Sequence, residues 1–184
     1  MGRWDESEDE VVQRMLRGDE DAFRAVYRAI QPGLLRYLTV LAGSVEAEDL
    51  AAETWAQVVR DLERFTGVAD GFRGWVVTIG RHRALDHLRR TGRRPVVDLP
   101  AEDLPERADP QSTEEQALAL VSTDEALRLI ATLPPDQAEA VLLRAVVGLD
   151  AGTVARVLGK RPGAVRTAAY RGLRALAKKV AEEE

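Results

Sequence analysis

The stretch LDAGTVARVLGKRPGAVRTAAYRGLRALAKKV, residues 149–180, reads as two short helices meeting at a tight turn. Asp150 is placed to cap the first helix with its carboxylate, and Val154, Val157 and Leu158 give that helix an apolar face. Gly159 falls where a left-handed residue ends it, because glycine takes a positive φ without a Cβ penalty. Lys160 and Arg161 make the turn, and Pro162 opens the second helix at a position that needs no N–H. Val165, Ala169, Leu173, Leu176 and Val180 recur every three or four residues, which predicts an inward face. The other faces carry Arg166, Thr167, Tyr170, Arg171, Arg174 and Lys178. Between Ala151 and Ala181 stand eight Lys or Arg and no acid. A solvated basic helix closing an ordinary bundle explains the charge, but not the two-helix spacing or the turn glycine. Helix, glycine turn and basic helix together have the layout of a helix-turn-helix that lays its second helix in a DNA major groove.

The whole chain has 184 residues and a net charge of −5, with 45% hydrophobic and 31% charged residues. That length allows one good core or two small ones. There is no cysteine, so disulfides, thiolate zinc sites and thiol redox sensing are excluded. No apolar run approaches the roughly 20 residues that span a bilayer, and the acidic start MGRWDESEDE is no signal peptide. A cytoplasmic protein without membrane insertion is expected. The acidic balance predicts weak DNA binding by the chain alone, with local basic faces acting only at short range.

Aromatic residues divide the sequence. Eight of nine precede residue 76 and only Tyr170 follows it, which predicts a ring-rich N-terminal core and a C-terminal core of Leu, Val and Ala. Asp19 caps a first substantial helix running through Ile30, Pro32 interrupts or restarts it, and it continues to Gly43. The next helix covers 44–62, with Leu50, Thr54 or Trp55, Val58 and Leu62 inward and Glu46, Asp49, Glu53, Gln57 and Arg60 outward. A loop with two glycines over 64–71 leads to a helix over 72–91. There Phe72, Val76, Ile79, Arg83, His87, Arg90 and Arg94 trace one stripe, apolar first and basic afterwards. Arg81, Arg83, Arg89, Arg90, Arg93 and Arg94 are opposed only by Asp86, more cations than a helix C-terminus needs for its dipole. The basic half is expected to face an anionic partner. His82 and His87 share no face and have no further ligand type beside them, so no metal site is expected.

From Pro95 to Glu115 prolines recur every five residues and seven acids meet one arginine, the composition of an extended acidic linker. A helix over 113–133 follows, broken by Pro134 and Pro135, and 136–147 leads into the helix-turn-helix. The fold expected is all-α: two small helical domains, 1–94 and 116–184, joined by an acidic, proline-rich linker over 95–115.

Three segments, AEDLAAETWAQV (47–58), FRGWVVTIGRHRALDHLRR (72–90) and LPPDQAEAVLLRAVVGLDAGTVARVLGKRPGAVRTAAYRGLRAL (133–176), resemble the extracytoplasmic-function sigma factors of bacteria, in order and at the expected spacing. The resemblance implies a sigma domain 2, a linker and a sigma domain 4 that bind core RNA polymerase and direct it to particular promoters. It implies polymerase docking through Glu48, Asp49, Glu53 and Gln57. It implies minus-ten recognition by the helix carrying Arg81, His82, Arg83, His87 and Arg90, with the glycine loop supplying a pocket for a flipped base. The final helix looks like the minus-thirty-five reader, with Arg166, Thr167, Tyr170, Arg171 and Arg174 on its DNA face and Lys160 and Arg161 on phosphates. Family members often have asparagine at the place of His82, Thr-Val at Ala164-Val165, arginine at Ala168 and an acidic pair at Gly152-Thr153, so an altered promoter preference is expected. An anti-sigma factor is the partner that the family implies for regulation. No phosphate-binding glycine loop, nucleophile with base or cofactor motif is present, so no cofactor or catalysis by the chain is expected. A stand-alone helix-turn-helix regulator is the alternative, distinguished by tight specific DNA binding without polymerase.

Overall fold

The structure, a computed structural model, describes residues 7–95 and 124–183. Every regular element among the described residues is helical. The expected linker lies outside them except for Pro95, and the helix expected from Thr113 is described only from residue 124.

A short helix α1, Glu8–Leu16, precedes the expected first helix. Ser7 and Glu10 close a capping box at its start, and Val11, Val12 and Met15 are buried. α2, Glu20–Ala42, begins where Asp19 accepts a hydrogen bond from the Ala22 N–H. That bond and Arg14 hold the Asp19 carboxyl below the usual carboxylate range. Pro32 does not interrupt α2. It lies exposed, where the carbonyl it leaves unbonded can meet water, and burial of Ile30, Leu34, Tyr37 and Leu38 keeps both halves on one core.

Gly43, at φ 98°, turns the chain into α3, Ser44–Asp61. A single 3₁₀ turn, Leu62–Arg64, follows. α4, Ala69–Thr91, starts earlier than expected and ends at Gly92 in the left-handed region. The earlier start has an outside cause: Asp9 of α1 accepts a hydrogen bond from the Ala69 N–H at 2.8 Å, and Arg73 pairs with Glu8. Gly71 is therefore helical, and the ring of Phe65 covers Gly67, whose Cβ would stand 3.0 Å from its edge. Phe65, Phe72 and Trp75 form one aromatic cluster, and Trp55 meets Phe23 and Tyr27 in another.

The C-terminal group comprises α5 over 124–131, α6, Pro135–Val141, a π-helical turn, Leu142–Val146, α7, Ala151–Leu158, and α8, Pro162–Glu183. One expectation for α8 is corrected. Leu173 is half exposed, and the inward residues are Val165, Ala169 and Gly172. A Cβ at Gly172 would lie 2.7 Å from Val141 Cγ2 and 3.3 Å from the Gln137 carbonyl, so α8 touches α6 almost backbone to backbone and Leu173 is turned outward.

The two helical groups pack on each other. Their buried residues form one continuous hydrophobic cluster. A Cβ at Gly33 of α2 would stand 3.3 Å from Val147 Cα, and one at Gly74 of α4 would meet Thr153 Cγ2 of α7 at 2.4 Å. Glycine is needed at both places because helices approach so closely. Among the described residues no helix is long and apolar enough to cross a membrane.

Candidate nucleic-acid and partner interfaces

The helix-turn-helix forms as its local signals dictate. Asp150 accepts hydrogen bonds from the N–H groups of Gly152, at 2.7 Å, and Thr153, at 3.1 Å, and from the Thr153 hydroxyl. Those bonds, led by the hydroxyl, hold its carboxyl below the usual range. Gly159 ends α7 at φ 64°, ψ 34°. Replacing Asp150 with Ala is expected to cost about 1 kcal/mol at pH 7. Because the folded pKa is depressed, this stabilisation is present above the unfolded value of about 3.9 and disappears as pH falls through the folded value. Urea unfolding of wild type and variant should therefore differ at neutral pH and converge in acid.

On α8, burial of Val165 and Ala169 leaves Arg166, Thr167, Tyr170, Arg171 and Arg174 exposed together. The Arg174 guanidinium lies 5.9 Å from the centre of the Tyr170 ring, a cation–π approach. Thr167 donates its hydroxyl hydrogen to the Gly163 carbonyl. Arg161 is exposed at the turn, whereas Lys160 pairs with Asp136 at the start of α6. This surface holds four cations and hydroxyl donors with no carboxylate on its own helix from Pro162 to Ala181, a chemistry suited to a polyanion and to base edges.

The expected stripe of α4 divides differently. Ala84 and Leu88 continue the core, so the basic half turns along α3. Arg83 forks onto Gln57 at 2.9 and 3.1 Å and pairs with Glu53 at 3.1 Å. His87 is half-buried, its Nε2 enclosed without a hydrogen-bond partner and 4.0 Å from Glu46, which also pairs with Arg93. His82 and Arg90 are exposed. Gln57, Ile79, His82, Arg83, Asp86 and Arg90 line an open groove of about 580 Å³ between α3 and α4. At the glycine loop the ring of Phe65 lies over Gly67, and the groove runs along the basic face of α4. Glu48 and Asp49 are exposed on α3, beside Glu53 and Gln57.

Arg81 lies apart from the other candidates. Its guanidinium donates to both oxygens of Glu139 on α6, at 3.0 and 3.2 Å, and the Tyr37 hydroxyl donates to the same carboxylate at 2.8 Å. Burial works against the Arg81 charge, but Glu139 outweighs it and raises the pKa. Burial, then the Glu139 charge, pushes the Tyr37 phenol well above its ordinary value. Neither Glu139 nor Tyr37 carries any sequence signal for this role. Among the described residues no group of three or more His, Cys, Asp or Glu could hold a metal ion.

Comparison with known proteins separates the same two helical groups. The family model of sigma-70 region 2 matches residues 26–94, and that of sigma-70 region 4 matches residues 123–176. The chain is 35% identical over 170 residues to the ECF RNA polymerase sigma factor BldN of Streptomyces coelicolor, covering 92% of this chain and 64% of that protein. It is 36% identical over 171 residues to the ECF RNA polymerase sigma factor ShbA of Streptomyces griseus, covering 89% of this chain and 90% of that one. The solved structure of CnrH in complex with the cytosolic domain of CnrY shares the fold, with a TM-score of 0.64 at 18% identity, covering 97% of this chain and all of that chain.

Proposed function

The chain belongs to the sigma-70 family, among the extracytoplasmic-function sigma factors, and from that premise we propose that it binds core RNA polymerase and directs promoter-specific initiation. The observation that carries the reading is the exposed, acid-free face of α8, set on a region 4 that follows a region 2 in one chain. Arg166, Thr167, Tyr170 and Arg171 read the minus-thirty-five element, Arg174 supports them, and Lys160 and Arg161 hold phosphates. His82, Arg83, His87 and Arg90 present the groove of α4 to the minus-ten element. Glu48, Asp49, Glu53 and Gln57 dock on the polymerase. Chemistry belongs to the polymerase; this chain supplies recognition. Its place of action is the cytoplasm, and an anti-sigma factor is its regulator.

Run-off transcription with purified core polymerase over a pool of promoters, with and without the chain, tests this. Selective transcripts are expected. No transcript, together with no co-migration with core enzyme, sinks the reading, and tight specific DNA binding by the chain alone would point to a stand-alone regulator. The docking face has its own test. Asp49 is exposed and no described residue pairs with it, so Asp49→Arg should change stability by less than about 0.5 kcal/mol. Its affinity for core polymerase should fall by roughly tenfold, read by competition against labelled wild type.

A further inference from the structure

We propose that α1 clamps the loop 65–68 and the start of α4 from outside, through Asp9 and Gln13, and that these two positioning residues thereby sharpen selection of the minus-ten element. The inference rests on the sigma-factor reading, and it gives a role to a helix that precedes the residues matched by the region 2 model. α4 has no cap of its own. Val68 stands at its N-cap and makes no side-chain bond to the first turn, although the first N–H groups of a helix have no partner within it. Asp9 supplies the missing acceptor. Its Oδ1 takes the Ala69 N–H at 2.8 Å, and its charge lies at the positive end of the helix. Gln13, one turn further along α1, donates from Nε2 to the Gly67 carbonyl at 3.0 Å. Glu8 pairs with Arg73 at 3.0 Å, one turn into α4. α1 is itself fixed by its capping box and by Val12 and Met15, both buried.

The clamp selects which loop side chains are presented. The ring of Phe65 lies against Phe72 and Trp75, with centres 5.1 and 5.2 Å away. Residues 65, 67 and 69 are therefore each tied to the helices, and the alternate residues Arg64, Thr66 and Val68 stay exposed. A guanidinium, a hydroxyl and methyl groups suit a phosphate and a base edge. This loop joins α3 to α4, which wall the groove lined by His82, Arg83 and Arg90. Polar contacts run from one to the other: Arg64 pairs with Asp61 at 3.3 Å, Asp61 faces Gln57 Nε2 at 3.5 Å, and Gln57 receives Arg83. Loop and groove thus form one surface. A loose loop can re-form contacts to a mismatched base, whereas a fixed one leaves the mismatch unpaired, so clamping favours discrimination.

Two templates in one tube, differing only in the minus-ten element, give a transcript ratio that does not depend on how much of the chain is folded. In run-off transcription with core polymerase, Asp9→Ala and Gln13→Ala should each lower that ratio by roughly threefold to tenfold, the scale of a lost helix cap or hydrogen bond. Asp9→Asn keeps the acceptor and should hold the wild-type ratio. Gln13→Glu keeps the size but loses the donor, and should behave as Gln13→Ala. Templates differing only in the minus-thirty-five element should keep their ratio in every variant. Unchanged minus-ten ratios with less total transcript overturn the proposal, because α1 would then contribute stability alone; equal shifts at both elements overturn it too. Hydrogen exchange reports the clamp without polymerase. The Ala69 N–H should exchange about fivefold faster or more in Asp9→Ala, and an unchanged rate removes the clamp. Failure of the wild-type chain to yield any transcript is a different result: it removes the sigma-factor reading and the promoter role with it, while the exchange rates still decide whether α1 caps α4.

Discussion

Phe72→Ala is expected to destabilise the chain by about 3–5 kcal/mol. Phe72 has no exposed surface. Its ring meets Phe65 edge-on with centres 5.1 Å apart and lies 5.7 Å from Trp75. Such pairs add about 0.5–1.5 kcal/mol beyond the area they bury. Val11 and Val12 of α1 and Val26 and Ile30 of α2 line the same recess as Phe72. The cavity would thus open where three helices meet, and relaxation there cannot close it without moving α1. Movement of α1 would carry Asp9 away from the first N–H of α4. A fall of roughly 6–20 °C in the thermal midpoint follows for a chain of this size. A shift below about 2 °C would mean that the site collapses freely and that α1 does not depend on it. Because total stability is typically about 5–15 kcal/mol, partial unfolding of the N-terminal group at 37 °C is the accompanying expectation, read by hydrogen exchange at α1.

Local signals made much of this fold legible. Asp150, Gly159 and Pro162 act on backbone groups within three residues of themselves, and the structure places all three as expected. Ser7 and Glu10 form the same kind of signal; their spacing could have announced α1. What the sequence could not show is contact at long separation. Pro32 reads as a break because its penalty is local, while the burial that holds α2 together comes from α3 and α4. The basic stripe of α4 shows its charge but not that Gln57 and Glu53, 26 and 30 residues earlier, receive Arg83. Arg81 and Glu139 are 58 residues apart, and Tyr37 and Glu139 are 102 apart. A carboxylate in LPPDQAEAV gives no hint that it will cap two side chains from another helical group. Leu173 faces outward for a related reason. Periodicity assigns the larger side chain to the core, and only the approach of α8 to the Gln137 carbonyl at Gly172 shows that the smaller one takes it.

Arg166→Ala and Arg171→Ala should each relax promoter preference at one position by about 1–3 kcal/mol, roughly 5- to 150-fold, if the side chain reads a base. Both are exposed and no described residue pairs with either, so removing them leaves no buried partner unsatisfied and should change folding by less than about 0.5 kcal/mol. That separates recognition from stability. Arg166 and Tyr170 stand one turn apart, as do Thr167 and Arg171, which puts two adjacent ridges on the face opposite Val165 and Ala169. A guanidinium there can meet the O6 and N7 of guanine in two parallel bonds, a geometry a truncated side chain or a lysine does not reproduce. Selection of active sequences from a randomised minus-thirty-five pool should show the loss confined to one or two base pairs for each variant. Uniform weakening across the pool, with a salt dependence reduced by about one charge, would instead assign that arginine to a phosphate. Lys160 provides the comparison. Its pairing with Asp136 must be exchanged for any phosphate contact, so Lys160→Ala should weaken binding evenly and less. If Lys160→Ala proved as selective as Arg166→Ala, the turn rather than the exposed face of α8 would be reading the promoter.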